Sequence, residues 1–193
     1  MPSRFTARAV ARFVVTFAVV YGAAFALYWG TPLFGAVHRL FIATSTAALH
    51  LTCPAVSYQM LLRADGLIRV TVEAPGVHRR VFHIMGLFGT NLVVFLALVL
   101  ASPGLAWRGR AAGLVAGGGV IVVVNTLVML GTIWVFQARY AELRPLLPGW
   151  PLLALGRLAY QFNPTGGLYM LPVFLWGFVL LSPLLLGRAG EGR

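Results

Sequence analysis

Apolar and polar stretches alternate along the chain, and the apolar ones fall at residues 13–29, 84–101, 111–136 and 168–186. A helix crosses the ~30 Å hydrocarbon layer of a membrane with ~20 apolar residues, so each stretch is close to that length. The two central stretches contain no Asp, Glu, Lys or Arg. In lipid, a helix satisfies its own backbone hydrogen bonds, whereas an irregular segment leaves its N–H and C=O groups without partners.

This pattern predicts an all-α integral membrane protein of one domain, residues 1–193. We expect four transmembrane helices, interfacial helices and a small extracytoplasmic β-hairpin. The spans are expected at about 12–30, 83–102, 111–136 and 167–186, and the extracytoplasmic segments at 31–81 and 137–166.

Both extracytoplasmic segments carry weaker patterns of their own. Apolar residues at helical spacing over 33–51 and 150–160 predict interfacial helices. Residues 56–73 predict the β-hairpin, because Ala64, Asp65 and Gly66 form a turn signal between two short strand-like runs. After the turn, apolar and polar residues alternate, which gives the strand one apolar face and one polar, solvent-exposed face. Asn163 and Pro164 predict a turn before the last span.

Composition supports the membrane class. The chain is 60% hydrophobic and 10% charged, whereas soluble domains carry about 25% charged residues. Its net charge is +11, and every basic residue is arginine. This bias is explained either by the positive-inside rule or by contact with anionic lipid or phosphate.

The arginines also predict orientation. Seven of them lie in short segments on one side of the spans, with Glu191 as the one acid: Arg4, Arg8, Arg12, Arg108, Arg110, Arg188 and Arg193. The density of positive charge in short loops sets the topology of a membrane protein. Both termini are therefore expected in the cytoplasm of a bacterium, with the protein in its inner membrane. The first stretch also has signal-peptide character, with Ala24, Phe25 and Ala26 as a cleavage-like sequence, although an uncleaved anchor is preferred.

Several polar residues could carry function. A cluster of basic residues before the second span is expected at the outer face; its members are His78, Arg79, Arg80 and His83. The cluster either binds a phosphate or carboxylate headgroup or only anchors the span by extending its charged ends to the membrane interface. Asn91 and Asn125 lie within the spans and are interpreted as interhelical hydrogen-bonding groups rather than a site.

Reactive groups are sparse. Cys53 is the one cysteine, so no internal disulfide forms. His50 is near enough in sequence to act as its base if the segment is helical, but nothing else completes a triad, and an inert cysteine is the preferred interpretation. The sequence has no metal-type Cys and His cluster, no acid within the spans, and no HExxH, GxSxG or P-loop motif. We therefore predict no catalytic residue, no metal, no cofactor and no nucleic-acid partner.

The layout over residues 55–135 resembles the exosortases and archaeosortases, which are multipass membrane transpeptidases. That family has a hairpin-like outer segment, an AC-S-G-L-R cysteine motif, a basic turn, an N-x-x-R span and a later histidine. Here the hairpin, the basic turn with Arg108 and Arg110, and Asn125 follow in a similar order.

The positions that carry the family's chemistry differ. Residues 84–88 hold no cysteine or arginine where the cysteine motif falls, Val128 stands in place of the arginine, and no histidine lies near the last span. The chain is thus more similar to companion proteins encoded beside exosortases, such as the exosortase H-associated membrane protein. The resemblance implies a scaffold without nucleophile or base.

Three functions remain open. The preferred one is a non-enzymatic companion or assembly subunit that binds a partner protein or sorting signal at the outer face. The alternatives are an enzyme acting on a lipid-linked or peptide substrate at the outer leaflet, and an auxiliary subunit of a respiratory or photosynthetic complex. Expected partners are membrane lipids and a membrane protein or second copy of the chain.

Overall fold

The computed structural model describes residues 7–85, 89–103, 105–162 and 167–190. Within these ranges the elements follow the order α1 Ala7–Gly30, α2 Leu33–Thr52, β1 Ser57–Leu62, β2 Leu67–Ala74, β3 Val77–Met85, α3 Thr90–Ala101, α4 Trp107–Gln137, α5 Trp150–Phe162 and α6 Gly167–Gly190. Predictions at Arg4, residues 86–88, the turn at Asn163 and Pro164, Glu191 and Arg193 lie outside the described residues.

Two of the described helices are long and apolar enough to cross a membrane. They are α1, with a mean hydropathy of 2.0, and α4, with a mean hydropathy of 2.2. The apolar side chains of α1 are largely exposed, whereas α4 is partly buried in the protein. Both helices begin earlier than predicted, so Arg8 and Arg12 belong to α1, and Arg108 and Arg110 belong to α4 rather than to a turn.

The predicted second span is wrong at its start. Residues 83–85 belong to strand β3, and the helix that follows, α3, has 12 residues. At about 1.5 Å per residue, such a helix is about 18 Å long, which is shorter than the hydrocarbon layer. Most of its side chains are buried in the protein, including Val93, Phe95 and Val99.

The predicted hairpin is confirmed, but it is part of a three-stranded antiparallel sheet of order β1-β2-β3. Ala64, Asp65 and Gly66 form the first loop, in which Gly66 adopts a positive φ of +79° and Asp65 Oδ1 accepts the Leu67 N–H at 3.1 Å. A three-residue loop ending in a left-handed glycine is a common hairpin connection.

The third strand arises from a second turn that the sequence prediction missed. Ala74 pairs with Val77, so Pro75 and Gly76 form a two-residue loop, and Gly76 has a φ of +74°. Proline followed by a left-handed glycine fits a type II turn. The chain therefore folds back, and residues predicted to enter a membrane helix pair with β2 instead.

The elements form two compact units, with α4 divided between them after Ile121. The helical unit contains α1, α3, the first half of α4 and most of α6. Its core is formed by Phe95, Val99 and Ile121, and Phe95 packs directly on Gly117. Gly113 lies against Val179, so the glycines of α4 admit large neighbouring side chains.

The sheet unit contains α2, the three strands, the second half of α4 and α5. One face of the sheet is buried, and its cross-strand rows are Tyr58–Val72–Arg80, Met60–Val70–Phe82 and Leu62–Ile68–Ile84. In the same unit α4 and α5 approach closely at Gly131 and Gly156, where backbone meets backbone.

The contact between Gly131 and Gly156 gives a stability prediction. A methyl group at residue 131 would overlap the carbonyl of Gly156, and backbone atoms have no side-chain freedom with which to move away. We expect Gly131→Ala to lower the free energy of unfolding by about 1–3 kcal/mol. Thermal unfolding of the purified protein in detergent measures the change.

The matched control is Gly118→Ala in the same helix, where the added methyl group has nothing within 4 Å. Because alanine favours a helix over glycine, this variant should be as stable as the wild type or more stable by up to about 1 kcal/mol. Equal unfolding temperatures for Gly131→Ala and Gly118→Ala would contradict the close crossing of α4 and α5.

Candidate functional site

The predicted cluster of His78, Arg79, Arg80 and His83 lies on strand β3, not at the entrance of a helix. Successive side chains of a strand point to opposite faces of the sheet. Arg79 and His83 therefore share one face, and Arg80 shares the other with Phe82 and Ile84, which are buried. The structure thus divides the four predicted site residues between two surfaces.

Arg80 is bound within the sheet unit. Its Nη2 donates to Glu142 Oε1 at 2.6 Å, and its guanidinium lies 4.6 Å from the centroid of the Tyr140 ring. The hydrogen bond from Arg80 is the largest effect on Glu142 and lowers the pKa of this carboxyl group. Arg80 Nε is buried and has no hydrogen-bond partner in the described chain.

The exposed face of the sheet carries two further ion pairs. Arg79 Nε lies 3.2 Å from Glu73 Oε1, and Arg63 Nη2 lies 3.1 Å from Asp65 Oδ2. Arg63 also reaches the His83 ring, with 3.3 Å between Nη1 and Nε2. These side chains are about half exposed, so each ion pair contributes little to stability. The charge of each arginine is nevertheless balanced by the carboxylate beside it.

A buried polar centre lies where β1 meets the end of α4. Gln137 Nε2 donates to Tyr58 Oη at 2.8 Å, and both residues are at most 4% exposed. Burial raises the pKa of Tyr58 well above its usual value, and the neighbouring thiol of Cys53 raises it further, whereas the Gln137 hydrogen bond opposes the shift. The phenol therefore stays protonated and serves as a structural hydrogen-bonding group.

Cys53 belongs to this buried centre. It follows α2, is 2% exposed, and donates its backbone N–H to Leu49 at 2.7 Å. The ring of His50 contacts the edge of Tyr58, with 6.2 Å between ring centroids. The structure thus sets both predicted partners beside Tyr58, with the thiol removed from solvent.

The two predicted intramembrane polar residues are buried. Asn91 is 4% exposed in α3, and Asn125 is fully buried in α4. Each takes part in an interaction within the protein. Their role as hydrogen-bonding groups that hold helices together stays a prediction.

Sequence reasoning missed a polar network in the helical unit, centred on Ser102. Its hydroxyl donates to the Leu98 carbonyl at 2.7 Å and accepts from Trp176 Nε1 at 2.6 Å. Arg110 Nη2 donates to the Ser102 carbonyl at 2.8 Å. A serine followed by proline at a helix end signals a cap, but the partner in α6 is 74 residues away and has no local signal.

Across the described residues, no three His, Cys, Asp or Glu side chains are grouped as metal ligands. No family model, curated protein or solved structure matches the chain, so the exosortase resemblance stays a prediction.

The Arg80–Glu142 contact gives a pH prediction. Because the pKa of Glu142 is lowered in the folded protein, the ionised carboxyl group stabilises the fold above its usual pKa near 4.5. That contribution is lost as the pH falls through the lowered pKa. Glu142→Gln should lower the unfolding temperature at neutral pH by up to about 3 °C, and this difference should close in acid.

Thermal unfolding of both proteins between neutral pH and pH ~3 tests this prediction. The control variant Glu73→Gln removes the partner of Arg79, which is the more exposed pair, and should change the unfolding temperature less. A Glu142→Gln difference that stays constant into acid would contradict the assigned contact.

Proposed function

We propose that the chain is a multipass protein of the bacterial inner membrane, with α1, α3, α4 and α6 as its membrane-embedded helices. Support comes from the two long apolar helices and from the exposed side chains of α1, such as Val15 at 62% and Val19 at 65%. Lipid is the environment in which such a surface is stable. The short α3 is compatible with this arrangement, because protein rather than lipid surrounds it.

Both termini lie in the cytoplasm in this proposal, and the sheet lies on the outer side. The supporting feature is the grouping of arginines in the short segments at the start of α1 and of α4. The sheet, in contrast, carries acids as well as arginines, as expected of a folded segment exported to the outer face.

Its function in this proposal is that of a non-enzymatic companion or assembly subunit that holds a partner protein or a sorting signal. The observation that carries it is a sheet that is fixed to the protein by one face and carries exposed side chains on the other. Phe82 stacks on Phe136 at 4.2 Å between centroids, Tyr58 bonds to Gln137, and Arg80 bonds to Glu142. All three contacts attach the same face of the sheet to α4 and to the chain just after it.

The opposite face offers a surface for a partner. Leu61, near the end of β1, is 63% exposed, and Val81, in the middle of β3, is 41% exposed. Around them lie Arg69, Arg79 and His83, so apolar and cationic groups are mixed. Arginine and apolar side chains on a rigid support are typical of a protein interface.

The alternative of an outer-leaflet enzyme is less well supported by the geometry. Cys53 is buried, and Arg79 and Arg80 each bind a carboxylate on a different face of the sheet. A nucleophile must reach its substrate, and an anion-binding arginine must have free donors. The role of auxiliary subunit in a respiratory or photosynthetic complex stays a prediction.

The proposed topology is tested by cysteine labelling in a Cys53→Ser background. Gln59 is exposed on β1, and Ala106 is exposed in the connection before α4. We expect a membrane-impermeant maleimide to label Gln59→Cys in intact spheroplasts and to label Ala106→Cys only after the membrane is opened. The reverse pattern would overturn the orientation, and labelling of both without opening would overturn the membrane topology.

The proposed partner surface is tested by photo-crosslinking in native membranes. A benzophenone amino acid at Leu61 or Val81 should capture the same discrete protein, whereas the equally exposed Leu158 of α5 should not. Leu61→Arg should lower co-purification of that protein by about tenfold, since loss of one central apolar contact costs at least ~1.4 kcal/mol. Isolation of the chain alone after mild solubilisation, with no crosslink from either position, would refute the companion function.

A further inference from the structure

The helical unit contains an open cavity of about 1000 Å³. Its wall is formed by the first turns of α1, by the end of α3 and by the start of α4. Arg8, Arg12 and Arg110 line it together with apolar residues that include Phe13 and Leu100. The cavity therefore combines a cationic rim with an apolar wall.

The three arginines have no acid to neutralise them in the described chain. Arg8 and Arg12 are one helical turn apart, which sets them on one side of α1. The three described acids form ion pairs in the sheet unit, with Arg63, Arg79 and Arg80. Three like charges around one cavity repel each other, and a bound anion would relieve that repulsion.

Arg110 is held in position at the cavity wall by a hydrogen bond within the helical unit. Its Nη2 donates to the Ser102 carbonyl, while its Nε is buried and has no partner among the described residues. Ser102 is fixed in turn by Trp176, whose ring stacks on Phe13 at 5.5 Å between centroids. The Arg110 guanidinium thus lines the cavity without an acidic partner among the described residues, so the cavity favours an anionic ligand that accepts hydrogen bonds.

A phosphate group satisfies these requirements best. The planar guanidinium groups of arginine donate paired hydrogen bonds to phosphate oxygens, and three of them can surround one phosphate. The apolar part of the wall, with Ala9, Ala11 and Val15, continues along the exposed apolar surface of α1. An acyl chain would cover that surface, whereas a free phosphate ion would leave it exposed.

We propose that this cavity binds an anionic phospholipid, with its phosphate between Arg8, Arg12 and Arg110 and an acyl chain against α1. The proposal rests on the membrane insertion of α1 and α4 that forms part of the proposed function. It is independent of the companion role, because the sheet unit contributes no residue to the cavity.

The test is lipid retention by the purified full chain, measured by native mass spectrometry from detergent. Phosphatidylglycerol is the probe, with zwitterionic phosphatidylethanolamine and inorganic phosphate as comparisons. We expect the wild type to retain phosphatidylglycerol and the double variant Arg8→Gln/Arg12→Gln to bind it at least about tenfold more weakly. The matched control, Arg108→Gln/Arg157→Gln, makes the same change in net charge at exposed arginines outside the cavity and should bind as the wild type does.

A second variant keeps the charges and fills the space. Ala11→Phe places a ring in the cavity wall while Arg8, Arg12 and Arg110 stay in place, and it should also lower phosphatidylglycerol retention. Unchanged helical circular dichroism and an unchanged unfolding temperature without lipid would show that each variant still folds.

Four outcomes would overturn the proposal. Equal loss in the cavity and control variants would mean a general effect of net charge. Equal retention of phosphatidylethanolamine would remove the need for an anionic headgroup, and binding of inorganic phosphate with the same arginine dependence and no lipid retention would assign the site to the free ion. If labelling of Gln59→Cys and Ala106→Cys supports the topology while lipid retention fails, the lipid site alone is wrong.

Discussion

The attachment of the sheet to the end of α4 is the interaction on which the sheet unit depends. A hydrogen bond from Gln137 to Tyr58, a ring stack of Phe136 on Phe82 and the contact of Arg80 with Glu142 all reach the same face of the sheet. A shift of one residue in register would turn Tyr58, Arg80 or Phe82 to the other face and break its contact. The left-handed glycines Gly66 and Gly76 set the two loops and thereby the register that these contacts require.

The acidic residues are distributed unevenly between the two units, although both units are basic, as expected of a chain with 15 basic and 4 acidic residues. The described acids are all used in the sheet unit, where each forms an ion pair with an arginine. With eight arginines against these three acids, the sheet unit nevertheless keeps a net charge of +5. The arginines at the starts of α1 and α4 lack acidic partners among the described residues, and in the proposed lipid site a phosphate supplies the anion.

Local patterns predicted most elements, and the failures have two causes. The apolar stretches gave the helices, and Ala64, Asp65 and Gly66 gave the first hairpin, because both signals are contained within a few residues. Strand β3 was missed because its residues lead directly into an apolar run, and because adjacent Arg79 and Arg80 interrupt its alternation of apolar and polar residues. The turn signal of Pro75 and Gly76 would have predicted it. The contacts of Tyr58 with Gln137 and of Ser102 with Trp176 join residues 79 and 74 positions apart, and no local pattern identifies such pairs in one sequence.

The same long-range packing bears on the exosortase resemblance. If the resemblance holds, Ile84 and Val128 mark places where that family carries groups used in chemistry. Here Ile84 is 4% exposed on the buried face of the sheet, and Val128 is fully buried in α4. An arginine at Val128 would place a charge in an apolar environment, which costs several kcal/mol unless a partner is supplied. Both positions are therefore filled by buried apolar side chains in the described part of the chain. Placing an ionisable residue at either position would require its neighbours to change as well.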